Sequence, residues 1–223
     1  IDIETYKIYA PAVGPTNTAR IDTALITDIR TETSTFMDNA GQIEGTLGGD
    51  PRFHLLPGVE IQSPGNLALE TEWDLLGWRD SGEAGVLSLR AEGDLNINGN
   101  LSDGVAPVSA GGILTPRDTV QTGPSWSYRL AGGADLAAAD PLAVRRGVGN
   151  IKLASGAKVR TGTGDIEIAA GNNLQLADST AAIYTVGENR GTGAIPEVDG
   201  FQAEVIQELV YGADFLNNGG NIR

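Results

Sequence analysis

Gly149-Asn150-Ile151-Lys152-Leu153, Gly164-Asp165-Ile166-Glu167-Ile168 and Gly171-Asn172-Asn173-Leu174-Gln175-Leu176 are one phrase written three times. Each copy is a glycine, a small polar residue, then alternating apolar and polar residues. Earlier copies are Gly65-Asn66-Leu67-Ala68-Leu69 and Gly93-Asp94-Leu95-Asn96-Ile97, and another opens at Gly220-Asn221-Ile222-Arg223. Glycine beside Asn or Asp tolerates positive φ, so the chain can corner sharply. Alternation then places Leu67 and Leu69, or Ile166 and Ile168, on one face of a short strand.

One such strand does not stand alone. Burying two Leu or Ile side chains gains about 3–6 kcal/mol, while ordering five residues costs about 5–10 kcal/mol of backbone entropy. The strand needs copies stacked on it, as in a solenoid. Glycines 149, 156, 164 and 171 lie seven or eight residues apart. Strands of about five residues joined by short turns match that spacing, and three of them make a coil the size of a parallel β-helix rung. An antiparallel sandwich or barrel also offers short, evenly spaced strands, but the recurrent Gly-Asn/Asp opening favours stacked corners over hairpins. The expected fold is mainly β, a right-handed parallel β-helix.

Three stretches leave the rhythm. Residues 1–57 are expected to form an irregular or helical lead-in, because Ile21, Leu25, Ile29, Phe36, Ala40 and Ile43 recur near helical spacing. Thr31, Thr33, Ser34 and Thr35 weaken that helix. The β-helical part is expected over 58–223, with inserts at about 102–148 and 178–218. Long inserts on a repetitive stalk are where recognition surfaces concentrate.

Composition narrows the function. Among 223 residues, 15 basic and 29 acidic side chains give a net charge of −14, the wrong sign for holding nucleic acid. The chain has no cysteine, which excludes disulfides and thiolate chemistry together. No stretch is apolar and long enough to span a membrane, and the first residues are not a signal peptide. A chain that opens without Met and stops inside the repeated phrase is expected to be part of a longer protein.

The segments Leu56–Leu67, Glu72-Trp73-Asp74-Leu75, Gly85–Arg90, Leu95–Gly104, Ser125–Leu130 and Gly162–Gly171 resemble the large exoproteins of the filamentous haemagglutinin type. The resemblance covers most of residues 56–186. It implies two-partner secretion by a Gram-negative bacterium through an outer-membrane partner, a long right-handed β-helix, and residence in the medium or on the outer cell surface. It further implies adhesion to host or neighbouring-cell glycans or proteins, or carriage of a distal toxin. The Asn-Pro-Asn-Gly motif of that family's secretion domain is missing here, so the chain looks like an internal or distal stalk portion.

Candidate chemistry is sparse. His54 is the lone histidine, too few for a His-dependent acid–base scheme. Asp165 and Glu167, two apart on an expected strand, would project from one outer face about 7 Å apart. Such a pair suits a glycosidase or Ca²⁺, though outer-face charges are ordinarily just solvated. Trp73, Trp78, Trp126 and Tyr128 are the binding candidates: exposed, they would stack on sugar rings, and otherwise they plug the core. Asn96 and Asn98 are expected to stack in amide ladders. No catalytic residue, metal site or cofactor is expected. The reading is a non-enzymatic surface stalk, with a toxin-delivery shaft and a carbohydrate-active β-helix enzyme as alternatives.

Overall fold

A computed structural model describes residues 2–46, 54–80, 82–108, 117–120, 123–187 and 218–223. In chain order the elements begin with β1 (Asp2–Tyr9), β2 (Thr18–Ile21), α1 (Thr23–Met37) and α2 (Ala40–Thr46). There follow β3 (His54–Ser63), β4 (Asn66–Leu69), β5 (Trp73–Asp74), β6 (Val86–Ala91), β7 (Leu95–Ile97) and β8 (Leu101–Ser102). A hairpin of β9 (Val105–Val108) and β10 (Arg117–Val120) precedes β11 (Ser127–Gly132), β12 (Ile151–Leu153) and β13 (Lys158–Thr161). Last come β14 (Ile166–Ala170), β15 (Leu174–Leu176) and β16 (Ala182–Thr185).

β1 and β2 go to the first and second of three parallel sheets, and from β3 on, the hairpin aside, successive strands go to the three in rotation. The first sheet runs β1-β3-β6-β11-β14, the second β2-β4-β7-β12-β15 and the third β5-β8-β13-β16. The β9–β10 pair is antiparallel. The repeated phrase explains the register. Leu67, Leu95, Ile151 and Leu174 are neighbours across the second sheet, as are Leu69, Ile97, Leu153 and Leu176. Val59, Leu87, Tyr128 and Ile166 align in the first sheet, and Trp73, Leu101, Val159 and Ile183 in the third. Apart from Leu174 and Leu176, which stay exposed on β15, these inward columns meet in one continuous cluster. Residues of the phrase's polar positions face outward, as a period of two requires.

The corners are held by side chains. Asp94 N–H donates to Asn66 Oδ1 at 2.8 Å, and Asn150 donates to Asp94 Oδ1 through both its backbone N–H and its Nδ2, each at 2.8 Å. Asn172 Nδ2 reaches Asn150 Oδ1 at 3.0 Å. At the edge of the first sheet Asp165 N–H donates to Ser127 Oγ, and Asn221 N–H to Asp165 Oδ1 at 2.6 Å. Turning backbone leaves N–H groups without a ladder partner, and a short carboxylate or amide satisfies them without adding bulk. The amide ladder expected at Asn96 and Asn98 therefore sits at the corners instead. Asn96 has Ala68 and Lys152 as its cross-strand neighbours, so no amide lies opposite it, and Asn98 bonds Glu70.

The expected boundaries need correction. Within 1–57, β1 and β2 are sheet strands paired with β3 and β4. The helix starts only after Asp22, whose side chain caps Leu25 N–H at 3.0 Å. Ile21 belongs to β2, and Phe36 is 42% exposed, so the helix buries Ile29, Thr33 and Met37 instead. Thr27, Thr31 and Thr35 each donate a hydroxyl to the carbonyl four residues back, at 2.8–2.9 Å, which satisfies the polar groups of a helix rich in threonine. Within 102–148, β11 is a core strand between β6 and β14; its inward Tyr128 and Leu130 lack the Gly-Asn preface that marks the other copies. Within 178–218, β16 completes the third sheet, and residues 188–217 lie outside the described residues.

Candidate functional site

Trp73, Trp126 and Tyr128 are at most 1% exposed and Trp78 is 7% exposed, so the expected aromatic binding surface is not a surface. The physical reason is register: Trp73 stands opposite Leu101, and Tyr128 opposite Leu87 and Ile166, all inward positions. Trp78 bridges the other two tryptophans, with ring centroids 5.6 Å from Trp73 and 6.1 Å from Trp126. Trp126 Nε1 donates to Trp78 carbonyl oxygen at 2.8 Å, and Tyr128 hydroxyl to Arg160 carbonyl oxygen at 3.2 Å. Burial pushes the Tyr128 phenol far above its ordinary pKa, with Asp103 and Asp74 adding to it. The aromatics fill the stack and hold it together.

The Asp165 and Glu167 pair also separates. Asp165 is a corner residue ahead of β14 and accepts hydrogen bonds from Asn221. Glu167 lies on the outer face and takes part, with Glu4, in an ion-pair chain through Arg129. Each carboxylate already has a structural partner. His54 opens β3 half-exposed, with Nδ1 3.9 Å from Glu83. No group of three or more histidines or carboxylates is placed to hold a metal among the described residues.

The concave polar site is elsewhere, on the outer face of the third sheet. A groove of about 470 Å³ is lined by two outward columns with Val105 of the hairpin at one side. One column is Asp74, Ser102 and Arg160, in register across β5, β8 and β13. The other is Glu72, Asn100 and Lys158, each two residues earlier in the chain. Alternation forces this arrangement: Trp73, Leu101 and Val159 point inward, so their neighbours on either side point out.

The two columns differ in how tightly they are held. Arg160 is 8% exposed, donates from Nε to Ser102 Oγ at 2.8 Å and reaches Tyr184 hydroxyl at 3.3 Å. Asn100 Oδ1 accepts Lys158 N–H at 3.0 Å. Among the described residues the Lys158 ammonium contacts only the Gly156 carbonyl, at 3.4 Å. Asp74 is exposed as a residue, yet its carboxylate is crowded by the sheet face. Desolvation raises its pKa, and the nearby Asp103 and Glu72 carboxylates add to this, against the Leu76 N–H bond and Arg160. The groove thus offers carboxylate acceptors, amide and hydroxyl groups and one ammonium at close quarters.

Sequence reasoning missed this site because its residues lie outside the copies of the repeated phrase, at three places far apart in the chain. The signal was one apolar residue between two polar ones, in Glu72-Trp73-Asp74, Asn100-Leu101-Ser102 and Lys158-Val159-Arg160. Among the described residues no helix is long and apolar enough to cross a membrane. No protein-family model matches the chain, and neither characterised proteins nor solved structures give a match.

Proposed function

We propose that the chain is a segment of right-handed parallel β-helix in a non-enzymatic secreted exoprotein of the filamentous haemagglutinin type. It forms part of a rigid stalk on the outer surface of a Gram-negative bacterium, exported by an outer-membrane partner, and displays its outer faces to glycan or protein ligands. The observation that carries this reading is the rotation of strands among three parallel sheets, in register from copy to copy. Continuous stacking resists bending because every copy buries the face of the next. The net charge of −14 keeps such rods apart in solution.

Two measurements test the reading. Antibody labelling and protease shaving of intact source cells should find the native protein outside, and loss of the outer-membrane transporter should remove it from there. Recovery from the cytosol alone would sink the surface assignment. For the stack, the cysteine-free chain permits clean cross-linking: Lys152→Cys with Gln175→Cys, register neighbours on the outer face, should join on mild oxidation. Equal joining of Lys152→Cys with Asn173→Cys would contradict the register.

A further inference from the structure

We infer that the groove on the outer face of the third sheet binds a carboxylate-bearing sugar, with the Lys158 ammonium taking the carboxylate and Asn100, Ser102, Glu72 and Asp74 taking hydroxyls. This deepens the display reading above and rests on the chain meeting glycans from outside a cell.

The argument starts from what the groove offers. Its lining is dominated by polar side chains and it is large enough for a sugar ring or two, at about 470 Å³. Carboxylates only accept, amides both donate and accept, and hydroxyls do either. That mixture matches the vicinal hydroxyls of a saccharide, where each oxygen also does both. No tryptophan is open to this site, because all three are at most 7% exposed; the aromatic nearest it is Tyr184, partly buried and next in register to Arg160. The groove lining itself carries no aromatic ring, so its own contacts are polar.

Charge selects among sugars. Lys158 has no carboxylate partner among the described residues, and it lines the groove beside Asn100. An ammonium in a half-buried setting gains most from an anionic ligand group that can also accept hydrogen bonds. Glu72 and Asp74 stand in the same groove, and the whole chain is strongly acidic. A multiply charged sulfated or phosphorylated polymer would be repelled by both. One carboxylate per ring satisfies Lys158 and leaves the hydroxyls for the acidic end. Asp74, Ser102 and Lys158 are held on strands, and Glu72 and Asn100 immediately precede β5 and β8.

The test uses the purified chain and calorimetric titration with three probes: an oligogalacturonate, sialyllactose and a neutral oligosaccharide of similar length. Binding of one or both acidic probes over the neutral one is expected. Lys158→Gln should weaken it by about tenfold or more, the loss of one charge-assisted hydrogen bond, and Lys158→Glu should abolish it. Arg146→Gln, an exposed change outside the groove, should leave binding as it was. Circular dichroism of each variant checks that the fold is kept; Lys158 pairs in the sheet through its backbone, and among the described residues its side chain makes only the 3.4 Å bond to the Gly156 carbonyl. Binding that survives Lys158→Gln overturns the groove assignment while leaving the surface-stalk reading to the cell-labelling test. No binding of any acidic probe overturns it too. Depolymerisation of the oligogalacturonate would overturn a binding-only role.

Discussion

Arg79 Nη2 holds both carboxylate oxygens of Asp103, each at 2.8 Å, and Asp103 is completely buried. Asp103 also accepts the N–H of Gly104 and that of Trp126, while Arg79 binds the carbonyls of Leu75 and Pro124. One ion pair thereby ties the turn after β5, the exit from β8 and the entry to β11. Removing one partner of a buried pair leaves the other charge uncompensated, at a cost of about 3–5 kcal/mol; Arg79 is partly exposed, so the lower end applies. Arg79→Met should therefore lower stability by ~3 kcal/mol in urea unfolding followed by tryptophan fluorescence. Arg79→Lys should recover only part of the loss, since an ammonium lacks the planar fork. A variant as stable as the parent would remove this pair from the account.

Acid should loosen the corners. Burial alone would raise the Asp94 carboxyl, but the Lys152 ammonium and the two Asn150 donors outweigh it and hold the pKa below the ordinary value. A carboxyl depressed in the folded state stabilises above its unfolded pKa, about 3.9, and loses that contribution as pH falls through the folded value. Melting temperature should accordingly drop below about pH 4, and Asp94→Asn should flatten part of that drop. An unchanged pH profile in Asp94→Asn would contradict the assignment.

Asp74 should behave oppositely. Its pKa is raised, chiefly by desolvation, so its ionised form is disfavoured in the folded chain. Asp74→Asn should melt at a higher temperature than the parent at pH 7, with the difference shrinking as the solution is acidified through the raised value. Thermal melts across the acid range test it; a stabilisation independent of pH would point to packing instead.

Two glycines with left-handed backbone separate conformation from crowding. Gly147, at φ +80°, has open space where a Cβ would be. Gly149, at φ +72°, would place a Cβ 2.1 Å from Gly133 nitrogen and 2.4 Å from Gly93 oxygen. Gly147→Ala should cost about 1 kcal/mol, the backbone strain alone. Gly149→Ala should cost clearly more, because backbone of two neighbouring corners must move. Equal costs in chemical denaturation would refute the close stacking of corners.

The outer edge of the second sheet is a liability. Among the described residues β15 pairs only with β12, and its Leu174 and Leu176 are each 44% exposed. Unpaired edges with apolar side chains promote association. Where salt screens the net charge of −14, the chain should self-associate with rising concentration in sedimentation experiments, and Leu174→Lys should weaken this. Identical behaviour of the two proteins would acquit the edge.

Strands, corners and the inward set were legible in the amino-acid sequence, because each is a local matter. Alternation in Leu67-Ala68-Leu69 or Ile151-Lys152-Leu153 selects a buried face, and Gly-Asn/Asp permits the corner. The parallel mainly-β architecture followed from the need to cover those faces. Tertiary structure alone decided which copies are neighbours. β11 lies between β6 and β14 although 24 residues lead into it from β8 and only four lead into β14 from β13, and a connector's length leaves no mark on periodicity. That register turned Trp73, Trp126 and Tyr128 inward, where sequence allowed either side. It brought Asp103 to Arg79, 24 residues away, and Lys158 to Asn100, 58 residues away. A repeated phrase shows which face each residue takes; only packing shows which residue from another copy stands beside it.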